Sequence, residues 1–455
     1  MQYLSAANSS PPERLLPSWI SSPRRLVASP TVRTLLANVA ILGLGLVNSI
    51  QLSRWLGPEG RGQIAAALLW PMLISYFVSA GIITSLLYHA AQPEIRTQSL
   101  VANATFLALL QAVVGMSVGY LIMPWVLHSQ TSAVIRSSRW FLLVVPISLL
   151  TQYGCSVLQA RLHFSALNSL RLVIPAGYVI GVLALKLNSA LTFERVVSLQ
   201  LILNLAALAG VVSGFCWLRI PVGFHPEWDL ASRMVRYGLR VYTGDLSGLM
   251  NLRLDQVLMS AFMGPAMLGL YAVAVSASGL GEVVSVAWRM VATPSIAGKN
   301  SVDERRALLK STFRRYFLVS IPFTALLALL FPILIPLFFG RAFTAAIWPA
   351  EVLLAGAVCL SAKNVLGGGL QALGSPWLSS RADLVALVVT LLALPPLLWR
   401  FGILGAAVAS TLAYATQLYF ALDGLRKVHS ISARSLVTGP RNGQIPLPTG
   451  ITNGH

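Results

Sequence analysis

Residues 34–53 carry no charged side chain. In helical form such a stretch is long enough to cross the roughly 30 Å hydrocarbon core of a bilayer, where every backbone amide must be satisfied within the segment. The same kind of run recurs along the chain, at 34–53, 63–91, 100–127, 140–160, 167–187 and 196–218, then at 241–263, 267–291, 316–339, 345–372, 376–399 and 403–422. The 455 residues are 56% hydrophobic and 10% charged, against about 25% charged in soluble domains. None of the runs alternates as a transmembrane strand would. The expected fold class is therefore an all-α polytopic membrane protein of about 12 transmembrane helices.

The first two runs are joined by Leu56-Gly57-Pro58-Glu59-Gly60-Arg61-Gly62-Gln63-Ile64-Ala65. Gly57 is able to take the left-handed conformation that closes a helix, Pro58 cannot continue one, and the small residues Gly62 and Ala65 offer a face for close packing in lipid. The pattern Gly-Pro-x-x-x-Gly-x-x-Ala returns at Gly264, Pro265, Gly269 and Ala272, an offset of 207 positions (264 minus 57). Leu158-Gln159-Ala160 returns as Leu370-Gln371-Ala372 at an offset of 212 (370 minus 158). Two separated landmarks with nearly one offset indicate an internal duplication. An even number of spans per half sets the halves as parallel six-helix bundles related by a pseudo-two-fold axis. The expected division is a disordered cytoplasmic tail at 1–30, a lobe at 31–219, a cytoplasmic amphipathic linker at 220–240, a second lobe at 241–424 and a second disordered cytoplasmic tail at 425–455.

The net charge of +19 reads as topology rather than as nucleic-acid binding, because the basic residues lie between the apolar runs. With the N-terminus inside, 23 of the 33 Lys and Arg fall on the inner side, 8 on the outer side, and Arg253 and Lys363 fall within spans. Both termini are thus expected in the cytoplasm. In the connector, Arg233, Arg236 and Arg240 share a helical face suited to an anionic leaflet. Cys155, Cys216 and Cys359 lie in apolar runs without metal-ligand or disulfide spacing, and no cofactor is expected.

Twelve spans in two halves, Leu-Gly-Pro-x-Gly-Arg-Gly at 56–62 and Asp-Gln-Val-Leu at 255–258 resemble the multidrug/oligosaccharidyl-lipid/polysaccharide exporter superfamily, and within it the polysaccharide biosynthesis branch of O-antigen and exopolysaccharide flippases. The resemblance covers about residues 32–425. It implies a transporter rather than an enzyme, in the inner membrane of a bacterium. Its substrate would be an undecaprenyl-diphosphate-linked oligosaccharide, carried from the inner to the outer leaflet by alternating access. Partners implied are that lipid, the bilayer, and a polymerase and glycosyltransferases of one pathway for surface polysaccharide. The lipid II flippases of the superfamily carry arginines in span one, where this chain has Asn38 and Asn48. A cation-coupled multidrug exporter is the alternative. It is disfavoured because no span of the first half carries a carboxylate: Glu13, Glu59, Glu94, Glu194 and Glu227 sit at ends or in loops.

Ionisable groups inside a membrane are costly and mark pathways or pairs. The second half holds Asp245, Arg253, Asp255, Glu282, Arg289, Glu351 and Lys363 in its spans. Arg253, Arg289 and Lys363 are the expected cationic lining for a diphosphate, since guanidinium forks suit phosphate oxygens. Asp255 and Glu282 are expected to pair with these cations. Arg54 and Arg61, flanking the first hairpin, are expected to meet a departing diphosphate or to snorkel at the outer edge.

Overall fold

The computed structural model describes residues 30–436 apart from 93, 224, 300, 430 and 432–434. The tail expected at 1–30 falls outside them but for Pro30; of the tail expected at 425–455, residues 425–429 continue the last helix, and Leu425, His429, Ile431 and Leu436 are buried. Every regular element among the described residues is helical. In the first half these are α1 (Pro30–Ser79), α2 (Ile82–Ala90), α3 (Thr97–Val126), α4 (Ser132–Phe141), α5 (Val144–Ala160), α6 (Phe164–Leu187) and α7 (Phe193–Trp217). In the second they are α8 (Trp228–Phe262), α9 (Pro265–Ser278), α10 (Glu282–Ala297), α11 (Val302–Phe339), α12 (Ile347–Ala372) and α13 (Trp377–His429), with short 3₁₀ turns at Gly279–Gly281 and Arg341–Ala346.

Eight of these helices are long and apolar enough to cross a membrane, nine when α4 and α5, bent by 40°, count as one span. Two of the eight hold two legs each. α1 breaks at Gly57 (φ 68°) and α13 at Gly402 (φ 57°), both in the left-handed region that a side chain would strain. α8, more polar than the others, takes the place of the seventh span. All twelve expected segments are thereby accounted for. Exposed tryptophans mark two belts. Trp125 (81% exposed), Trp140, Trp348 and Trp399 (90%) lie at helix ends far from the chain termini, and Trp217, Trp228 and Trp377 lie at the terminal side.

The first echo in the sequence is a contact in space. A methyl group on Gly62 would collide with the Pro265 carbonyl oxygen, and one on Gly269 would collide with the Pro58 carbonyl oxygen. The same two methyls would stand 2.9 Å from the Gly269 and Gly62 backbone nitrogens respectively. The contact is reciprocal, residue for residue, at the offset of 207. The second echo is a pair of identical helix ends. α5 closes with His163 N–H donating to Leu158 O (2.9 Å) and Leu162 N–H to Gln159 O (3.0 Å). α12 closes with Ser375 N–H to Leu370 O (2.8 Å) and Gly374 N–H to Gln371 O (3.0 Å). Leu162 and Gly374, 212 apart, both have positive φ, as the 6→1 and 5→2 bonds of this cap require.

Away from the termini the lobes are joined by more than the glycine contact. Trp70 Nε1 donates to Ser260 Oγ (3.1 Å), and Gln130 Nε2 to the carbonyls of Ser260 (2.9 Å) and Met263 (2.8 Å). Deeper down, Ser49 Oγ lies 2.9 Å from Ser276 Oγ.

The connector departs from expectation. No break separates a linker ending at 240 from a span beginning at 241: α8 runs through both. Leu230, Ala231 and Met234 on its first half are buried, while Arg233, Arg236 and Arg240 are exposed. That half is held by the first lobe. Tyr237 stacks on Tyr88 at 4.2 Å, Tyr242 Oη donates to Phe77 O (3.0 Å), and Gly238 packs against the backbone at Ala80 and Gly81. With an apolar face already packed and no proline near 240, nothing in the sequence stops the helix there.

The reciprocal glycines set a test. Gly62→Ala and Gly269→Ala should each lower the thermal midpoint of the detergent-solubilised protein, since a misplaced methyl against backbone costs about 1–3 kcal/mol or more. Gly43→Ala, where a methyl would meet nothing within 4 Å, should leave the midpoint unchanged. Size-exclusion after graded heating measures all three.

Candidate functional site

Between the lobes lies a cavity of about 680 Å³. One wall is the first leg of α1, contributing Val39, Ile41, Leu42, Gly43, Gly45 and Leu46. It is apolar throughout, and its two glycines leave bare backbone toward the void. The opposite wall belongs to the second lobe. α8 contributes Arg253 and Asp255, α9 contributes Ser276 and Ser278, the start of α10 contributes Glu282, and α13 contributes Tyr414. The first-lobe wall is thus wholly apolar, while the second-lobe wall sets these polar side chains among apolar ones such as Leu249, Leu252, Val275, Leu280 and Leu353. Its polar residues lie well inside the bundle: Arg253 is nine residues before the end of α8, roughly 13 Å at 1.5 Å per residue.

Arg253 projects into this space and is exposed to it. Its Nη1 donates to the Gln256 side-chain oxygen at 3.3 Å, one turn along the same helix. The ion pairs among the described residues do not include it. Its charge is therefore available to an anion. Asp255, expected to pair with a cation, is held by neutral donors instead. Its Oδ2 accepts from the Tyr271 hydroxyl (2.5 Å) and the Ser410 hydroxyl (2.9 Å), and its Oδ1 from the Gln256 backbone N–H (2.7 Å). This node is 3% exposed and ties α8, α9 and α13 together where they meet the chamber.

Lys363 is a correction. It does not line the cavity; it is buried on α12 with Nζ 2.6 Å and 2.8 Å from the two carboxylate oxygens of Asp383 on α13. Asn251 extends the contact to α8 by donating to the Asp383 carbonyl (2.8 Å), and Thr390 Oγ1 donates to the Asn251 side-chain oxygen (3.3 Å). Desolvation drives this arrangement, because a lone ammonium between helices costs several kcal/mol and a carboxylate within reach removes most of that. Asp383 is the residue that sequence reasoning missed. Its one signal is that it is the only carboxylate in 376–399.

The remaining expected residues separate. Glu282 lines the chamber and is half-buried. Arg289 lies on α10, and its side chain is outside the described residues. Arg54 is exposed at the end of the first leg of α1, and Arg61 is partly buried beside the glycine contact; neither lines the chamber. The neutral polar groups of the first lobe serve as links between helices. Asn48 Nδ2 donates to Pro175 O (3.2 Å), Asn168 Nδ2 to Thr34 Oγ1 (3.0 Å) and Tyr153 Oη to Gln111 Oε1 (2.5 Å).

Comparison with known proteins agrees with this architecture. The solved structure titled lipid II flippase MurJ, inward closed conformation, superposes with a TM-score of 0.72 over 86% of this chain and 87% of that one, at 12% identity. The inward-facing conformation of a multidrug resistance MATE family transporter superposes with a TM-score of 0.70 over 87% of this chain and 98% of that one, also at 12% identity. At such identity these matches establish the fold alone. In sequence, the chain is 24% identical over 270 residues to the probable low-salt glycan biosynthesis flippase Agl15 of Haloferax volcanii. That match takes in 58% of this chain and 56% of the relative, so it spans little more than half of the relative's length. The model of the family described as polysaccharide biosynthesis protein matches residues 51–348, from the end of the first span into the tenth. An all-helical exporter fold, a duplicated hairpin at the lobe contact and a match across well over half the chain place this protein in the polysaccharide biosynthesis protein family.

Proposed function

We propose that the protein is a flippase that moves a lipid-linked oligosaccharide, joined through a diphosphate to a polyprenyl carrier such as undecaprenol, from the inner to the outer leaflet for surface polysaccharide assembly. The observation that carries this reading is a chamber whose first-lobe wall is wholly apolar and whose second-lobe wall adds Arg253 and other polar side chains to an apolar surface. An amphiphile with a charged linkage and an apolar chain is matched by a site that sets a few polar groups beside a continuous apolar surface. Arg253 supplies the fork for the diphosphate. The α1 wall, small at Gly43 and Gly45, lies along the carrier chain. The family's role in polysaccharide biosynthesis and the flippase named among its relatives support the same reading.

With both termini in the cytoplasm, as the basic residues favour, the far-side contacts at Gly62, Gly269, Ser49 and Ser276 close the outer end. Export then requires those contacts to part while the terminal side closes. The membrane potential supplies a drive: each charge carried through it is worth about 2.3 kcal/mol per 100 mV, and a dianionic diphosphate gains about twice that on moving outward. No coupling carboxylate in the first lobe is needed. A cation-coupled drug exporter shares the fold, but the spans of that lobe offer no acid to hold its ion.

Arg253→Ala should reduce flipping of a diphosphate-linked glycolipid in proteoliposomes at least about tenfold, the value of a charge-assisted contact. It should leave the thermal midpoint intact, because Arg253 makes one long hydrogen bond in the fold. Wild-type flipping by the mutant would remove Arg253 from the substrate path. Ser49→Cys with Ser276→Cys should cross-link under oxidant and stop flipping, with full recovery on reduction; undiminished flipping by the cross-linked protein would rule out opening at that contact. Lys363→Met should lower stability by about 3–5 kcal/mol by stranding Asp383, and adding Asp383→Leu should restore most of it. Thermal unfolding of the single and double variants decides whether that pair is frame or binding site.

A further inference from the structure

We infer that Gln256 is the positioning residue behind Arg253: its neutral amide orients the guanidinium in the chamber wall and leaves the charge free, so that the site takes a diphosphate. The inference rests on the flippase reading and deepens it by naming the residue that keeps its anion site open. Arg253 and Gln256 are three apart on α8, a spacing that makes two side chains neighbours on a helix surface. Arg253 Nη1 donates to Gln256 Oε1 at 3.3 Å. Gln256 is buried and stands outside the chamber lining, whereas Arg253 belongs to that lining and is exposed. One of the five guanidinium N–H groups is thus tied from behind, and four are left in a planar fork for phosphate oxygens.

The same chain shows what an acid does at such a spacing. Arg306 pairs with Asp303 at 3.3 Å, Arg233 with Asp229 at 3.0 Å and Lys427 with Asp423 at 2.9 Å, each three or four residues apart on one helix. These pairs stand at the terminal ends of α11, α8 and α13, where water weakens them. In the chamber wall a carboxylate at the Gln256 position would hold the guanidinium with far less screening, and an incoming anion would have to displace it. Asp255, two residues from Arg253, makes no ion pair with it, because its oxygens accept from the Gln256 backbone N–H and from the Tyr271 and Ser410 hydroxyls. Gln256 therefore acts twice. Its backbone N–H occupies an oxygen of Asp255, and its side chain gives Arg253 the geometry of an ion pair without the opposing charge.

The test titrates farnesyl diphosphate into the purified full-length protein in lipid nanodiscs by calorimetry, with farnesol as the uncharged control. Gln256→Glu should weaken farnesyl diphosphate at least about tenfold, the value of a charge-assisted contact taken by an internal partner, and leave farnesol unchanged. Gln256→Met, which keeps the volume and removes the amide, should weaken it about threefold, since the fork is then present but no longer held in place. In an Arg253→Ala background neither change should alter binding by more than about twofold, because no cation is left to capture or to orient. Should the buried acid lower the thermal midpoint, Gln256→Met and its combination with Arg253→Ala decide the matter. Wild-type affinity in both single variants, an equal loss in the two, or a loss that persists without Arg253 overturns the role of Gln256 and leaves the export reading standing. A wild-type protein that binds farnesyl diphosphate no better than farnesol overturns that role together with the diphosphate reading.

Discussion

The backbone contact between the two Gly-Pro hairpins sets the rest of the structure. In a bilayer, helices gain nothing by hiding apolar side chains from one another, so association depends on how closely their surfaces fit. At Gly62 and Gly269 the approach is as close as two main chains allow, each glycine lying under a proline carbonyl of the other lobe. Because the contact is reciprocal, it fixes the two α1-type elements symmetrically at the far side. On the terminal side of the Ser49–Ser276 contact, the chamber is bounded by the first leg of α1 and, across from it, by α8, α9, α10, α12 and α13.

The charges follow the same geometry. Four ionisable groups in the second lobe meet three different fates, and burial decides each. Lys363 and Asp383 lie between packed helices and neutralise one another at hydrogen-bond distance. Asp255 lies at the edge of the void, its oxygens satisfied by two hydroxyls and a backbone amide. Arg253, two residues earlier on α8, reaches into the void and is steadied by a neutral amide rather than a carboxylate. A lobe that holds its cations in these graded ways keeps one free for a ligand without the cost of several unpaired ions in the membrane.

The sequence made some of this legible because certain backbone geometries admit few residues. A helix that stops with a left-handed residue, or two backbones in contact, leaves glycine and proline at fixed offsets. The echo therefore showed at Gly62 and Gly269, at Pro58 and Pro265, and at the paired Leu-Gln-Ala ends. Leu162 shows the limit of that logic: it occupies the position of Gly374 with positive φ and no glycine to announce it. The site was less legible. Arg253 and Lys363 look alike as lone cations in apolar runs, and one-dimensional patterning cannot say which faces a void when every side of the helix is apolar. The partner that distinguishes them, Asp383, stands 20 residues beyond Lys363 on another helix. The connector misled for a related reason: its apolar face at Leu230 and Met234 suits a protein surface as well as a leaflet.

That connector links the chamber to the lobes. The first half of α8 is stacked on the first lobe at Tyr237, and the second half carries Arg253 and Asp255 in the wall of the second lobe, sixteen residues and roughly 24 Å further along. A stiff helix attached at both points would hold the lobes at one angle. α8 is bonded to the first lobe at Tyr242 and again near its far end at Ser260, and to the second lobe between them, where Gly244 packs against Ser380 and Asn251 donates to Asp383. The guanidinium is thus presented by a helix that touches both lobes, so a ligand held by Arg253 bears directly on the contact between them.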